Sequence, residues 1–568
     1  MKKINSSKFW WLYLLIIIVA VNFIAAQLHY RVDLTKEKRY TLSEPTKNLL
    51  KNLDGDIDID VYLKGDLKAG IKKLAKSTEE LLEEFKEYAN GKVHFHFFDP
   101  LTTLDDSARQ TFVDSLSKMG IQPMTQVAQS KKGEEQSERF VLPGAIVKYK
   151  QRIFPINLLK GVNNSDETTY YNNAEALLEY KFANAIDKIT EKNVPAVAYV
   201  LGNGEPLDFT VYNLIEGLRK NYNFGIFRLD SVPTISRKFD AIILVKPDNT
   251  FTEAEKLKLD QYVMHGGNII FLIDNLRAEM DSLKTDRETV AYDRGLNLDD
   301  LLFKYGARIN QDLVLDMQCA SLNFVIGMQG DKPQIQLLQW PYFPLLTGSL
   351  VNPVSKNLDP VYAKFTNSVD TVKANGIRKT ILLQTSANGK IISTPAIVSF
   401  ESVKIANDPK VFNRPNIPAA VLLEGKFHSL FANRISSGMA DTLAKMYKEP
   451  FLSSAEKESK IIVCASAEVF MNDTTQRGPL PMGYNKDINY TFANQDFAQN
   501  CIDYMTGSSG ILETRAKDFT LRLLDPKKVE DDRAFWQFVN IVIPLLLVLV
   551  AGFAFQFMRK RKYIGQPN

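Results

Sequence analysis

The chain has 568 residues, 70 Lys and Arg against 66 Asp and Glu for a formal net charge of +4, and three cysteines. So balanced a charge lacks the basic footprint of a nucleic-acid binder. Cys319, Cys464 and Cys501 allow at most one disulfide, which excludes a disulfide-stapled scaffold.

Residues 1–8 form a polar tail, and residues 9–28 then carry no charge. About twenty helical residues at ~1.5 Å each match a hydrocarbon core of roughly 30 Å, which predicts a first transmembrane helix. The run exceeds the about 7–15 apolar residues of a signal core, and Ala25-Ala26-Gln27 is a poor cleavage site, so the anchor is expected to stay. Residues 538–558 read as a second span, in which Pro544 is tolerable. Trp10, Trp11 and Trp536 sit at the ends of these spans, where amphipathic rings prefer the headgroups. Arg559-Lys560-Arg561-Lys562, in the tail 559–568, abuts the second span and predicts a cytoplasmic C-terminus. Two spans then put the N-terminus in the cytoplasm as well, and residues 30 to 534 outside, in a bacterium the periplasm. Without Lys2, Lys3, Lys8 and the four basic residues after the second span, that exported region is mildly acidic.

Beyond the first span a strap leads to an N-cap signal at Ser43 with Pro45 behind it. "DIDIDVYL", "GIKKLAKSTEELLEEFKEYA" and "KVHFHFFD" read as strand, amphipathic helix and strand, a β-α-β succession that implies a parallel pair. "KKGEEQSERF" reads as a charged loop, and "FVLPGAIVKY" and "RIFPINLL" as β-rich runs. A helix then carries Ala174, Leu177, Leu178, Ala185, Ile186 and Ile189 on one stripe. A first α/β domain is expected over 30–193.

A second α/β domain is expected over 194–300. "AVAYVL" passes through Gly202-Asn203-Gly204-Glu205 into a helix with Val211, Leu214, Ile215 and Leu218 at i, i+3, i+4, i+7. "FGIFRLD" and "FDAIILV" follow, then a helix with Thr252 and Glu255 as a capping box, closed by Gly266-Gly267, then "NIIFLID". This alternation predicts an open, doubly wound α/β sheet. Asp281 to Asp300 read as a polar loop, and 301–515 as a continuation of the α/β domain with a mixed-β insertion. Its strands are "PAAVLLEG" and "KIIVCASA", its late helix "FAQNCIDYMTG", and residues 516–534 form a juxtamembrane linker.

In a doubly wound sheet ligands gather at the carboxyl ends of strands, and a glycine turn entering a helix offers amides to an anion. Gly202, Asn203, Gly204 and Glu205 are therefore the candidate ligand-binding residues, although the turn lacks a third glycine and a lysine, and Glu205 repels phosphate. None of the Gly-Lys pairs at 91, 389 and 425 is followed by Ser or Thr, so there is no Walker A loop. His-Glu-x-x-His, Cys-x-x-Cys and Gly-x-Ser-x-Gly are missing too, which predicts no catalytic residues, metal or cofactor. Cys464, inside an apolar run, reads as a small buried hydrophobe, His94 and His96 as structural or exposed, and His265 as a helix-end cap whose charge suits the dipole. The stretch around Trp340 reads either as core or as a partner-docking loop.

"RVDLTKEKRYTLSEPTKNLL", the strand ending in "LGNGE", "HGGNIIFLID", "AVLLEGKFHSLFANR" and "NCIDYMTG…ILETRAKDFTLRLLDPKKV" together resemble the GldG family, over nearly the full length. The resemblance implies a non-enzymatic auxiliary or substrate-binding component of an ABC transporter in gliding bacteria. It would be anchored in the inner-membrane bilayer and work with a GldF-like permease and a GldA-like cytoplasmic ATPase. It also implies a GIFT-type domain similar to the glutamine-amidotransferase-like fold. Two positions depart from the family's pattern: Asn203 stands where a histidine is usual, and Ala465-Ser466-Ala467-Glu468 where an acidic Asp-Gly-Asp turn is frequent.

Overall fold

The computed structural model describes residues 15–19, residues 41–514 apart from short internal stretches, and residues 533–564. The chain divides into two compact units, Met1–Lys517 and Asp518–Asn568. Most of the expected first span lies outside the described residues, and of it only 15–19 are seen, helical and exposed. The second unit contains α7 (Arg533–Ile564, numbered last in the chain), whose segment Phe535–Arg561 is long and apolar enough to cross a membrane, with Pro544 inside it.

The first unit begins with helix α1 (Glu44–Lys51), capped by the Ser43 hydroxyl, which accepts from the Thr46 amide. A four-stranded sheet follows, made of β1 (Ile57–Val61), β2 (Val93–Phe97), β3 (Gly144–Tyr149) and β4 (Arg152–Asn157) in the order β2-β1-β3-β4. β1 and β2 are parallel and joined by α2 (Ala69–Tyr88), as the β-α-β pattern predicts. Helix α2 lays Ile71, Leu74, Leu82 and Phe85 against the sheet's core. Two local expectations need correction. In "KKGEEQSERF", residues Gln136–Val141 are a strand rather than a loop, because Met124–Gln129 supplies an antiparallel partner and a ladder depends on its partner more than on composition. The stripe from Ala174 to Ile189 is buried as expected but belongs to two helices, Glu167–Ala176 and α3 (Leu178–Thr190). At the joint the Leu177 amide is shared between the carbonyls of Asn173 and Ala174, which tightens the turn there.

The large sheet contains β5 (Ala196–Leu201), β6 (Asn223–Arg228), β7 (Ala241–Val245), β8 (Asn268–Leu272), β9 (Cys319–Gln329), β10 (Lys332–Gly348), β11 (Ile377–Gln384), β12 (Pro418–Gly425) and β13 (Ser459–Cys464). Their spatial order is β9-β10-β11-β12-β13-β8-β7-β5-β6. The half β13-β8-β7-β5-β6 is parallel, and β12, β11, β10 and β9 continue it antiparallel. Taken along the chain, the parallel strands have the order 2-1-3-4-5, with a switch point between β5 and β7.

Strands β7, β8 and β13 read AIILV, NIIFL and SKIIVC because both of their faces are covered. Ile243, Ile270 and Ile462 point into one core, with α4 (Tyr212–Asn221) and α6 (Asn494–Met505) against it. Ile242, Phe271 and Val463 point into the other, with α5 (Glu253–Met264). Helix α5 starts with the predicted capping box of Thr252 and Glu255. Asp281 to Asp300 is not wholly a loop: Glu288–Asp293 pairs with Leu276–Arg277 and Ala396–Ser399, its alternating Thr-Val-Ala-Tyr pattern burying Ala291.

The core shared by the small sheet and α6 is continuous. At its centre Lys188 of α3 forms an ion pair with Asp503 of α6, with only 6% and 3% of the two side chains exposed, and the Tyr222 hydroxyl donates to the same carboxylate. Removing one member of a buried pair strands the other. Asp503→Ala is expected to lower stability by ~3–5 kcal/mol, read as a large drop in the urea midpoint by far-UV circular dichroism.

Candidate functional site

The carboxyl ends of the parallel strands deliver charged side chains to one place. Lys246 follows β7, Asp274 lies two residues beyond β8, and Glu468 lies four beyond β13. The Lys246 ammonium is 2.8 Å from Glu468 Oε1 and 3.5 Å from Asp274 Oδ2. Asp274 Oδ1 accepts from the Ala467 amide at 2.6 Å, which fastens the β8 and β13 loops together. Lys364, from the connection between β10 and β11, pairs with Asp473 at 2.5 Å and approaches Glu468 Oε2 at 3.7 Å. Five charges thus alternate in sign, Asp274-Lys246-Glu468-Lys364-Asp473, with Glu468 bridging both lysines.

These groups line a cavity of about 330 Å³ with Phe343, Tyr362 and Phe365 on its wall. The Lys364 ammonium lies 5.5 Å from the Tyr362 ring centre and 5.8 Å from that of Phe343, close enough for cation–π attraction. Asp473, at 43% exposed, faces the mouth, whereas Lys246, Asp274, Lys364 and Glu468 are each below 20%. Two backbones here are left-handed without being glycine: Lys246 at φ 46 and Phe365 at φ 48. Such positions cost on the order of 1–3 kcal/mol each and gather where geometry serves a function.

Burial pushes the Glu468 carboxyl up, but Lys246 and Lys364 outweigh it and hold the group below its usual range. Burial likewise pulls Lys364 down, and Glu468 and Asp473 outweigh it to hold the ammonium above its usual range. Asp274 is raised, because burial there exceeds the help from Lys246. Lys364 and Glu468 are both held in their charged forms, and a ligand entering the cavity meets both signs.

The predicted turn lies beside this cavity. Gly202 and Gly204 have φ of 129 and 86, left-handed conformations that suit glycine, and a Cβ on Gly204 would lie 3.0 Å from the Asp248 side chain. The Asn203 carbonyl accepts from the amides of Asp248 and Asn249 at 2.8 and 2.9 Å, so the turn holds the segment that begins at Lys246. Asn203 and Glu205 point inward. The Asn203 amide donates to Glu205 Oε2 at 2.7 Å and its side-chain amide to Glu255 at 3.3 Å. Glu205 is raised to about 7, chiefly by burial and further by Glu255, against the bonds from the turn's amides. Its Oε1 and the Asn203 Oδ1 have no partner among the described residues.

The other residues singled out by sequence are scattered. All three cysteines are free and buried, and burial pushes the Cys464 thiol up to about 12. His94 and His96 are exposed on β2 opposite Asp58 and Asp60, and no group of His, Cys, Asp or Glu among the described residues could hold a metal. Trp340 is core, packed against Tyr342, Phe343, Phe365 and Phe400. His265 does cap α5, but burial and the neighbouring Arg237 lower its basicity, so the cap acts through the backbone amide rather than through ring charge. Lys246, Asp274, Lys364 and Asp473 escaped the sequence reading, although a charge directly after an all-apolar strand, as in "AIILVK" and "FLID", was a usable signal.

Residues 194–501, over half of the chain, match the family model described as an ABC-type uncharacterized transport system. Residues 36–148 match a domain of unknown function, DUF7088. An uncharacterized protein of Borreliella burgdorferi is 18% identical over 549 residues, 94% of each chain. Among solved structures, the mmIFT52 N-terminal domain is 15% identical with a TM-score of 0.30, over 55% of this chain and 97% of that one. A putative thua-like protein from Parabacteroides merdae is 11% identical with a TM-score of 0.24, over 56% and 91%. Both scores are too low to assign a fold.

The raised Glu205 makes stability depend on pH. A carboxyl moved from 4.5 to about 7 by folding stabilises fully below about pH 4.5 and loses that contribution as pH climbs through 7. The span is on the order of 3 kcal/mol. Glu205→Gln is expected to narrow the gap between melting temperatures at about pH 5 and pH 8; an unchanged gap would show that Glu205 is ionised in the folded chain.

Proposed function

The chain belongs to the ABC-type transport-system family that its residues 194–501 match, and from that premise we propose that this auxiliary protein is a non-catalytic, membrane-tethered ligand-binding subunit of an ABC transporter. The observation that carries the reading is the charged cavity at the strand ends, in a sequence with no nucleotide-binding loop. Such a chain recognises a ligand and borrows ATP energy from another subunit. A buried Cys464 thiol raised to about 12 is a poor nucleophile, which weighs against the rival reading of a periplasmic hydrolase or amidase.

Within this proposal, Gly202, Asn203, Gly204 and Glu205 serve the ligand site by holding the 246–249 segment rather than by touching the ligand with their own amides. The apolar segment Phe535–Arg561 and the sequence 9–28 are the two membrane anchors, with residues 30–534 in the periplasm and both termini in the cytoplasm. The domain division at 193/194 and near 300, the GIFT-type and amidotransferase-like kinship, and a role in gliding motility beside GldF-like and GldA-like partners belong to the same reading. The domain division rests on the strand and helix pattern of the sequence, and the others on the sequence resemblance.

Purification of the tagged full chain in mild detergent is expected to recover an ABC permease and its ATPase, identified by mass spectrometry; recovery of neither would overturn the proposal. A periplasm-dependent reporter inserted near Asp281 is expected to be active, whereas the same reporter after Asn568 is expected to be silent.

A further inference from the structure

We infer that the cavity at the strand ends takes a small apolar zwitterion, a dipeptide or free amino acid with both termini unblocked. This inference rests on reading the cavity as a ligand site. The ligand carboxylate lies on Lys246 and Lys364, its ammonium on Asp473 at the mouth, and its side chain against Phe343, Tyr362 and Phe365.

Charge order carries the argument. Glu468 sits between the two ammonium groups, one oxygen 2.8 Å from Lys246 and the other 3.7 Å from Lys364. A carboxylate of the chain itself thereby marks where a ligand carboxylate finds two positive partners. Among those five charges only Asp473 is much exposed, so it is the one that reaches the entrance, where the exposed Lys486 and the half-buried Asp487 also line the cavity, and the Lys246–Lys364 pair lies within. A ligand with separated charges enters carboxylate first and leaves its ammonium on Asp473. Phosphates and other polyanions fit poorly, because they bring no positive group to set against the four carboxylates of the lining, Asp274, Glu468, Asp473 and Asp487, which outnumber its three lysines. A neutral sugar offers no charge to any of these groups and leaves every ion pair as it is.

Shape agrees. About 330 Å³ is at the small end of ligand cavities, which run from roughly 300 to 1,000 Å³. Beside the charges the wall is aromatic, with Leu322 and Met280 extending it, and such a surface suits an aromatic or branched side chain. The left-handed backbones of Lys246 and Phe365 hold an ammonium and a ring at fixed places on the cavity wall, and so pre-organise the site before a ligand arrives.

The test is calorimetric titration of the full chain in detergent with the dipeptide Phe-Leu, its N-acetyl form, its C-terminal amide, and inorganic phosphate. Saturable binding of Phe-Leu is expected, weakened about tenfold or more by blocking either end and absent for phosphate. Asp473→Asn, provided its circular dichroism matches the parent chain, is expected to weaken Phe-Leu by a similar factor while leaving the amine-blocked form unaffected. Lys246→Met is expected to do the same for the carboxylate end, provided its circular dichroism matches the parent chain. Equal binding of free and blocked peptides, binding of phosphate alone, or no heat with Phe-Leu at millimolar concentration would overturn the inference. Recovery of the permease from the same preparation reports separately on the auxiliary role, so a chain that keeps its partners but ignores the peptide refutes only the ligand assignment.

Discussion

Burial of the parallel strands on both faces is the constraint from which the other features follow. With Ile243, Ile270 and Ile462 directed to one core and Ile242, Phe271 and Val463 to the other, the stretches 241–245, 269–272 and 461–464 of β7, β8 and β13 have no position where a polar group is tolerable. Charges on these segments are driven to the first residues beyond the strands, and because the strands are parallel, those residues emerge on the same edge. Lys246, Asp274 and Glu468 are neighbours for that reason, and the geometry of the site is a by-product of how the core is covered.

Once such charges are crowded at a half-buried edge, electrostatics decides their arrangement. Each is poorly hydrated, so each needs a partner of opposite sign, and the lowest-energy order is alternation. Lys364 comes from the antiparallel extension rather than from the parallel half, and its pairing with Asp473 and Glu468 ties that extension to the segment that follows β13. Deeper in the molecule, Lys188 and Asp503 do for the small sheet and α6 what Lys364 and Glu468 do at the cavity. The difference is access. The Lys188 pair is almost fully buried and its carboxylate is further engaged by the Tyr222 hydroxyl and the Gln499 amide, whereas the Glu468 group borders open volume.

The turn at Gly202 to Glu205 has the backbone its glycines imply, while its polar atoms are engaged within the protein. Its glycines are required by their left-handed backbones, and its position at the carboxyl end of β5 is the one expected. Yet Asn203 spends its carbonyl on Asp248 and Asn249, and Glu205 folds back onto the Asn203 amide. A side chain at the Asn203 position that also bonds Glu255 fixes the turn to α5 instead of offering it to solvent. The turn therefore shapes the neighbouring loop, and the charge that a ligand would feel is carried by that loop's first residue, Lys246.

What the sequence revealed was whatever has a short period. The capping box at Thr252 and Glu255, the stripe of Val211, Leu214, Ile215 and Leu218, and the β-α-β order around α2 can each be read within a few turns of chain, and each is present. Strands such as Gln136–Val141 and Glu288–Asp293 were missed because their partners, not their own residues, make them strands. The charged site is the extreme case. Lys246 and Glu468 are 222 positions apart, and Asp274 and Ala467 are 193 apart. They meet only because β13, arriving after the whole mixed-β insertion, takes the fifth place in the parallel half beside β8. Local pattern marks β13 as an apolar strand but does not state which edge of the sheet it joins, and an edge chosen differently would leave Glu468 far from both lysines. The assembly of these charges is thus encoded in strand order, because β13 must be paired with β8 before Glu468 can reach Lys246.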